Sequence, residues 1–225
     1  MKLLRLLLYS LLGIALLPAA YGGFHLLFRQ LVALQLHPAH SHTLLRFLLG
    51  GLLQFLAFCF LPRPVRLYVL AHELSHALAA LTSGKRVRGI AVHRHGGHVE
   101  VSESSLWIAL APYMLPFYSL LLLLGTLLAG LWLNLTPWLP WLPLLLGITW
   151  SHHLCFTALT LSLGQSDLDD MGPLCAYPLI LLGNLAFLLP ALLWLSETPL
   201  TTWPALTAAH LAAPYRALWQ FFHPF

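Results

Sequence analysis

Six apolar stretches, at residues 6–28, 44–61, 66–83, 105–132, 141–163 and 172–195, occupy most of this chain, and that pattern restricts its fold more than any other feature. A helix that crosses the hydrocarbon core of a bilayer needs about 20 apolar residues. Each stretch is long enough to cross, with 44–61 marginal. Water cannot be the main solvent: of 225 residues 59% are hydrophobic and 8% charged, and the mean hydropathy is +0.80. Eleven Lys and Arg with seven Asp and Glu cannot cover a soluble surface.

The net charge of +4 does not point to nucleic acid, because the basic residues lie scattered at the segment ends with no aromatic-interleaved stripe to follow a phosphate backbone. Cys59, Cys155 and Cys175 sit in apolar stretches without C-x-x-C spacing, which implies neither a disulfide framework nor a cysteine zinc site. Lys2, Arg5 and the apolar run up to Pro18-Ala19-Ala20 approach a secretory signal pattern, but the run continues to Phe28 and is expected to remain as an uncleaved anchor. No internal repeat or long linker divides the chain, so a single integral membrane domain over residues 1–225 is expected.

Between the third and fourth stretches the pattern changes. Val87, Gly89, Ala91, Val99 and Val101 alternate with polar residues around His95-Gly96-Gly97-His98, which reads as a β-hairpin turned by the Gly-Gly pair. Such a hairpin has unpaired edges and belongs at the interface or against protein. Pro112 and Pro116 predict a kink or break inside the fourth stretch. From about residue 197 the chain becomes more polar, and Trp203, Tyr215 and Trp219 suggest an interfacial C-terminal tail over about 197–225. The expected fold class is an all-α polytopic membrane protein of about six transmembrane helices with a short membrane-associated β-hairpin.

The third stretch carries His72-Glu73-Leu74-Ser75-His76. On a helix His72 and His76 share one face four residues apart, so both imidazoles can reach one tetrahedral metal ion. Glu73 stands beside them as a general base for water that attacks a carbonyl. With thirteen His in the chain, a shuffled sequence would contain such a match roughly 1% of the time, so chance is a poor explanation. The position inside an apolar stretch adds weight, because ionisable groups in a membrane mark function by default. Structural glue between helices would not need this spacing.

Two histidines leave a catalytic zinc in need of another protein ligand. Ser166-Asp167-Leu168-Asp169-Asp170, between the fifth and sixth stretches, can supply it: Asp167 and Asp170 share a helical face and Asp169 points elsewhere. Asp167 is the favoured ligand, with Asp170 the alternative or an outer hydrogen-bonding neighbour; Ser166 or Asp167 as an ordinary helix cap is the structural alternative. His152 and His153 lie mid-stretch, where a polar side chain needs a partner; His153 is a further candidate ligand or outer neighbour, although a satisfied buried histidine explains either. His93, His95 and His98 on the hairpin, and His37, His40 and His42, read as exposed polar residues. Haem would require histidines on opposing helices rather than two on one face.

These segments together resemble the site-2 protease family of intramembrane zinc metalloproteases, in particular its compact bacterial members without a PDZ domain. The resemblance covers about residues 66–172 and rests on HELSHALAALTSGKRVRGIAVHRHGG, then ALAPYMLP, then SDLDD. It implies zinc held by His72, His76 and an aspartate of the later motif, Glu73 as general base, and a hairpin around Gly96 and Gly97 that offers substrate an edge for main-chain hydrogen bonds. It further implies a membrane-protein substrate, a bacterial inner membrane and a cytoplasmic hairpin; Lys85, Arg86, Arg88 and Arg94 agree with the last. Where the family carries Asp-Gly, this chain has Asp167-Leu168 and Asp170-Met171, which leaves the third ligand open between the two. The alternative function is a catalytically inactive zinc-binding scaffold of the same fold. Substrate identity and oligomeric state are not legible in the chain.

Overall fold

The computed structural model describes residues 2–36, 38–93, 96–169, 171–195 and 200–223. The α-helices in chain order are α1 (Lys2–Leu36), α2 (Pro38–Phe60), α3 (Val65–Thr82), α4 (Leu106–Met114), α5 (Phe117–Gly130), α6 (Leu142–Leu163), α7 (Pro173–Leu195) and α8 (Trp203–Phe222). Strands β1 (Val87–Val92) and β2 (Gly97–Val101) form one antiparallel hairpin between α3 and α4.

Among the described residues, four helical segments are long and apolar enough to cross a membrane: Leu3–Gln35, Ser41–Phe60, Leu139–Leu163 and Pro173–Trp194. Helices α4 and α5 make a fifth if they are counted as one span bent by 76°. The chain is an integral membrane protein with these four to five candidate spans. The expected span at 66–83 is helical as α3 but is not one of them, since Arg66, His72, Glu73 and His76 dilute its apolar character. Leucines 121, 124, 127 and 128 on α5 are each more than half exposed, the reverse of a soluble core and suited to lipid.

The chain forms two compact units, residues 1–44 with 168–225, and residues 45–167. In the first, α1 packs against α7 and α8. Small residues permit the close approach: a Cβ on Gly13 would lie 2.0 Å from the Leu174 carbonyl oxygen, and one on Gly22 2.3 Å from that of His210. The segment expected as an interfacial tail is thus helical over Trp203–Phe222 and lies along α1, with Tyr215 and Trp219 exposed.

In the second unit, Pro62 and Pro64 end α2 and start α3, because proline and the residue before it both leave the helical region. Helix α3 stops where Gly84 turns left-handed at φ 69°; Lys85 N–H then bonds the Ala80 carbonyl at 2.8 Å and Gly84 N–H that of Leu81 at 3.0 Å, a Schellman cap. Val87, Gly89, Ala91, Val99 and Val101 fall on the covered face of the hairpin, as their alternation predicts, and the hairpin packs on α3. The turn differs from expectation. Val92 pairs with Gly97, so Gly97 is a strand residue, and among the described glycines only Gly84, Gly164 and Gly172 have positive φ. The Gly-Gly pair therefore does not supply left-handed turn angles; Gly97 serves a close contact described below. The predicted break in the fourth stretch falls at Leu115, which adopts an extended conformation before Pro116, while Pro112 stays inside α4. Helices α2 and α6 cross where a Cβ on Gly147 would lie 2.0 Å from the Phe47 carbonyl oxygen.

Candidate metal centre

Helix α3 presents His72 and His76 one turn apart, their ring centroids 4.9 Å from each other. After α6, Gly164 at φ 76° turns the chain into a short 3-10 segment, Ser166–Leu168, which delivers Asp167 to both rings. Asp167 Oδ2 lies 3.6 Å from His72 Nε2 and 3.5 Å from His76 Nε2. One ligand atom from each of the three lies within 4.8 Å of the others. Ligand bonds of about 2.0–2.1 Å at tetrahedral angles put neighbouring ligand atoms about 3.3–3.4 Å apart, so the aspartate-to-histidine edges are within a few tenths of an ångström of a zinc site.

Each of the three has an outer partner. His76 Nδ1 donates to the Ile108 carbonyl at 2.7 Å. His72 Nδ1 lies 3.1 Å from the Tyr68 hydroxyl, one helical turn earlier. The Tyr113 hydroxyl, on a fully buried side chain of α4, donates to Asp167 Oδ2 at 3.0 Å. Outer bonds of this kind fix ring orientation, and the Ile108 carbonyl, which can only accept, leaves the lone pair of His76 on Nε2. Burial by itself would push the Asp167 carboxyl up, but the two histidine rings outweigh it and hold the group well below the usual carboxylate range. Two imidazoles and one carboxylate suit zinc.

Glu73 is 5% exposed and outside the group of three. Its side chain lies under β2: a Cβ on Gly97 would sit 2.7 Å from Glu73 Cγ and 2.8 Å from Oε1. Gly97 is thus the strand position at which backbone must approach the glutamate. A Cβ on Gly96 would meet nothing within 4 Å.

Among the described residues, the other sequence candidates do not join the three. Asp169 is exposed, and Asp170 and His95 fall outside the described residues. His153 is buried beside Trp150, with ring centroids 6.5 Å apart, and it shares with His72 the wall of a small cavity without joining the ligand group. His152 accepts from Gln54 Nε2 at 3.3 Å through Nδ1. His93 and His98 are exposed. Sequence reasoning missed Tyr68, Tyr113 and the Ile108 carbonyl. Tyr68 was within reach, because it stands four residues before His72 on the same helical face. Tyr113 and Ile108 become visible only once α4 is packed on α3.

Fold and site together define a polytopic membrane protein with a His-His-Asp centre competent to hold a metal. The sequence matches the Peptidase M50B-like family over residues 51–166, just over half of the chain, and the chain belongs to that family. This agrees with the site-2 protease resemblance and makes the protein a member of a peptidase family. The matched region holds α3, the hairpin, α4, α5 and α6 and ends one residue before Asp167. No curated protein and no solved structure matches the chain.

Proposed function

We propose that the protein is an intramembrane zinc metalloprotease that hydrolyses peptide bonds in or next to membrane-spanning segments of protein substrates. The observation that carries this reading is the group His72, His76 and Asp167, in which each ligand is held by a separate outer hydrogen bond. Zinc bound there supplies Lewis-acid chemistry, polarising a peptide carbonyl and making water acidic enough to attack near neutral pH. His72 and His76 would hold it through Nε2 and Asp167 through Oδ2. Glu73 accepts the proton of the attacking water and passes it to the departing amine nitrogen. The hairpin around Gly96 and Gly97 offers an extended stretch of substrate a strand edge, and Gly97 brings that edge against Glu73.

Helix α3 counts as a crossing in this reading, giving six with α1, α2, the α4–α5 pair, α6 and α7. The histidines and Glu73 are then tolerated in it because they face protein rather than lipid. In this reading the hairpin lies on the cytoplasmic side of a bacterial inner membrane, a sidedness that Lys85, Arg86, Arg88 and Arg94 support. The test is zinc content of the full chain purified in detergent without chelators, together with cleavage of a single-span membrane substrate. The parent should carry about one zinc per chain. His76→Ala and Asp167→Ala should lose it, and Glu73→Gln should keep it while losing cleavage. Absence of zinc from the parent, or retention of cleavage by Glu73→Gln, would refute the proposal.

A further inference from the structure

A helical carbonyl ordinarily accepts from the N–H four residues later. In α4 the residue four after Ile108 is Pro112, which has no N–H and whose ring crowds the carbonyl of the preceding turn. The Ile108 carbonyl therefore lacks its usual helical donor. Ile108 is 3% exposed, so the carbonyl is also shielded from outside solvent and needs a donor from the protein. The donor is His76, whose Nδ1 lies 2.7 Å away.

A carbonyl oxygen can only accept, so this contact places the ring proton of His76 on Nδ1 and leaves the lone pair on Nε2. Nε2 is the atom that faces Asp167 at 3.5 Å. The proline thus determines, through one carbonyl, which nitrogen of His76 turns to the ligand group. The other histidine takes its partner from a different source, the Tyr68 side chain, so the two rings are oriented independently.

We propose that Pro112 is a positioning residue for the metal centre: by withholding an N–H from Ile108 it frees the carbonyl that sets the tautomer and orientation of His76. Its importance for a metal rests on the function proposed above, whereas its effect on the His76 tautomer does not. Pro112→Ala restores the helical N–H to the Ile108 carbonyl, so that this oxygen no longer depends on His76 for a donor. Outer partners of histidine ligands typically carry about 10–100-fold in metal affinity.

The test compares the full chain in detergent with Pro112→Ala and Pro178→Ala, the second removing a helix proline from α7, outside the site. Two quantities are read: zinc affinity by competition with a chromogenic chelator, and the imidazole 15N spectrum of the zinc-free protein, with His76 assigned by its loss in His76→Ala. Pro112→Ala should weaken zinc about tenfold or more and shift the His76 proton from Nδ1 towards Nε2; Pro178→Ala should do neither. An unchanged Nδ1–H in a folded Pro112→Ala protein overturns the proposal, whatever its zinc affinity. Should Pro112→Ala fail to fold, Pro112→Gly restores the same N–H and is judged on the same spectrum. A parent that binds no zinc would defeat the proposed function yet leave the tautomer shift to decide the role of Pro112.

Discussion

Gly97→Ala is the smallest change that tests how the hairpin and the proposed general base are fitted together. The added methyl would begin 2.7 Å from Glu73 Cγ, 2.8 Å from Glu73 Oε1 and 2.7 Å from the Ala91 carbonyl oxygen, where ordinary contact starts at 3.4 Å. It is short of that by 0.7, 0.6 and 0.7 Å. Ala91 belongs to β1 and is paired with His98, so its carbonyl cannot retreat without opening the hairpin. Either the Glu73 carboxylate moves by more than half an ångström or β2 lifts from α3, and both separate the base from a substrate strand on the hairpin. A misplacement of about 1 Å at a reacting group costs about a hundredfold in rate. None of the three nearest atoms belongs to His72, His76 or Asp167, so zinc should stay. The assay is turnover of a single-span substrate in liposomes, with zinc content measured on the same samples. Turnover should fall tens-fold to about a hundredfold with zinc unchanged. Gly96→Ala, which meets nothing within 4 Å, should match the parent. Parental turnover in Gly97→Ala, or equal damage from both variants, would refute this account of the contact.

Four further outcomes follow from the same geometry. Tyr113→Phe keeps the buried ring but removes the hydroxyl on Asp167 Oδ2, and should weaken zinc about tenfold in chelator competition without loss of fold. Tyr68→Phe should act likewise through His72 Nδ1. Gly147→Ala places a methyl 2.0 Å from the Phe47 carbonyl oxygen at the α2–α6 crossing and should cost about 1–3 kcal/mol or more of stability, read as a lowered melting temperature in detergent. Gly125→Ala in α5 meets nothing within 4 Å and should be neutral in the same measurement.

The histidine pair was legible because a helix converts a spacing of four into a shared face, and that conversion depends on nothing outside α3. The aspartate was only partly legible. Periodicity put Asp167 and Asp170 on one face without choosing between them; Asp170 lies outside the described residues, and what brings Asp167 to the rings is the exit from α6 at Gly164 into the 3-10 turn Ser166–Leu168, which periodicity does not show. Gly97 was legible as a required glycine and misread in its reason: a Gly-Gly pair signals a turn, while the demand here comes from a glutamate on another element. The span count was limited by the site itself, since the residues that give α3 its chemistry also lower its hydropathy. Tyr113 lies in an apolar run, where nothing distinguishes a tyrosine packed for its ring from one packed for its hydroxyl.

These difficulties share a physical cause. A regular helix satisfies its own backbone and leaves nothing for a neighbour to use, so a polar centre in an apolar unit has to obtain its partners from side chains or from places where regular structure is interrupted. Pro112 leaves a gap in the hydrogen bonds of α4 and frees a carbonyl for His76; Gly164 ends α6 and turns Asp167 towards both rings; Gly97 brings a bare strand against Glu73. Replacing any of the three with a residue of better local propensity therefore acts at two levels. At Pro112, alanine should improve the helix, since proline in a helix interior costs about 3 kcal/mol relative to it, and at the same time remove the partner of a ligand. A variant that melts at a higher temperature while binding zinc more weakly would be the signature of that conflict. A variant that melts higher and binds zinc as tightly as the parent would mean that Pro112 serves packing alone.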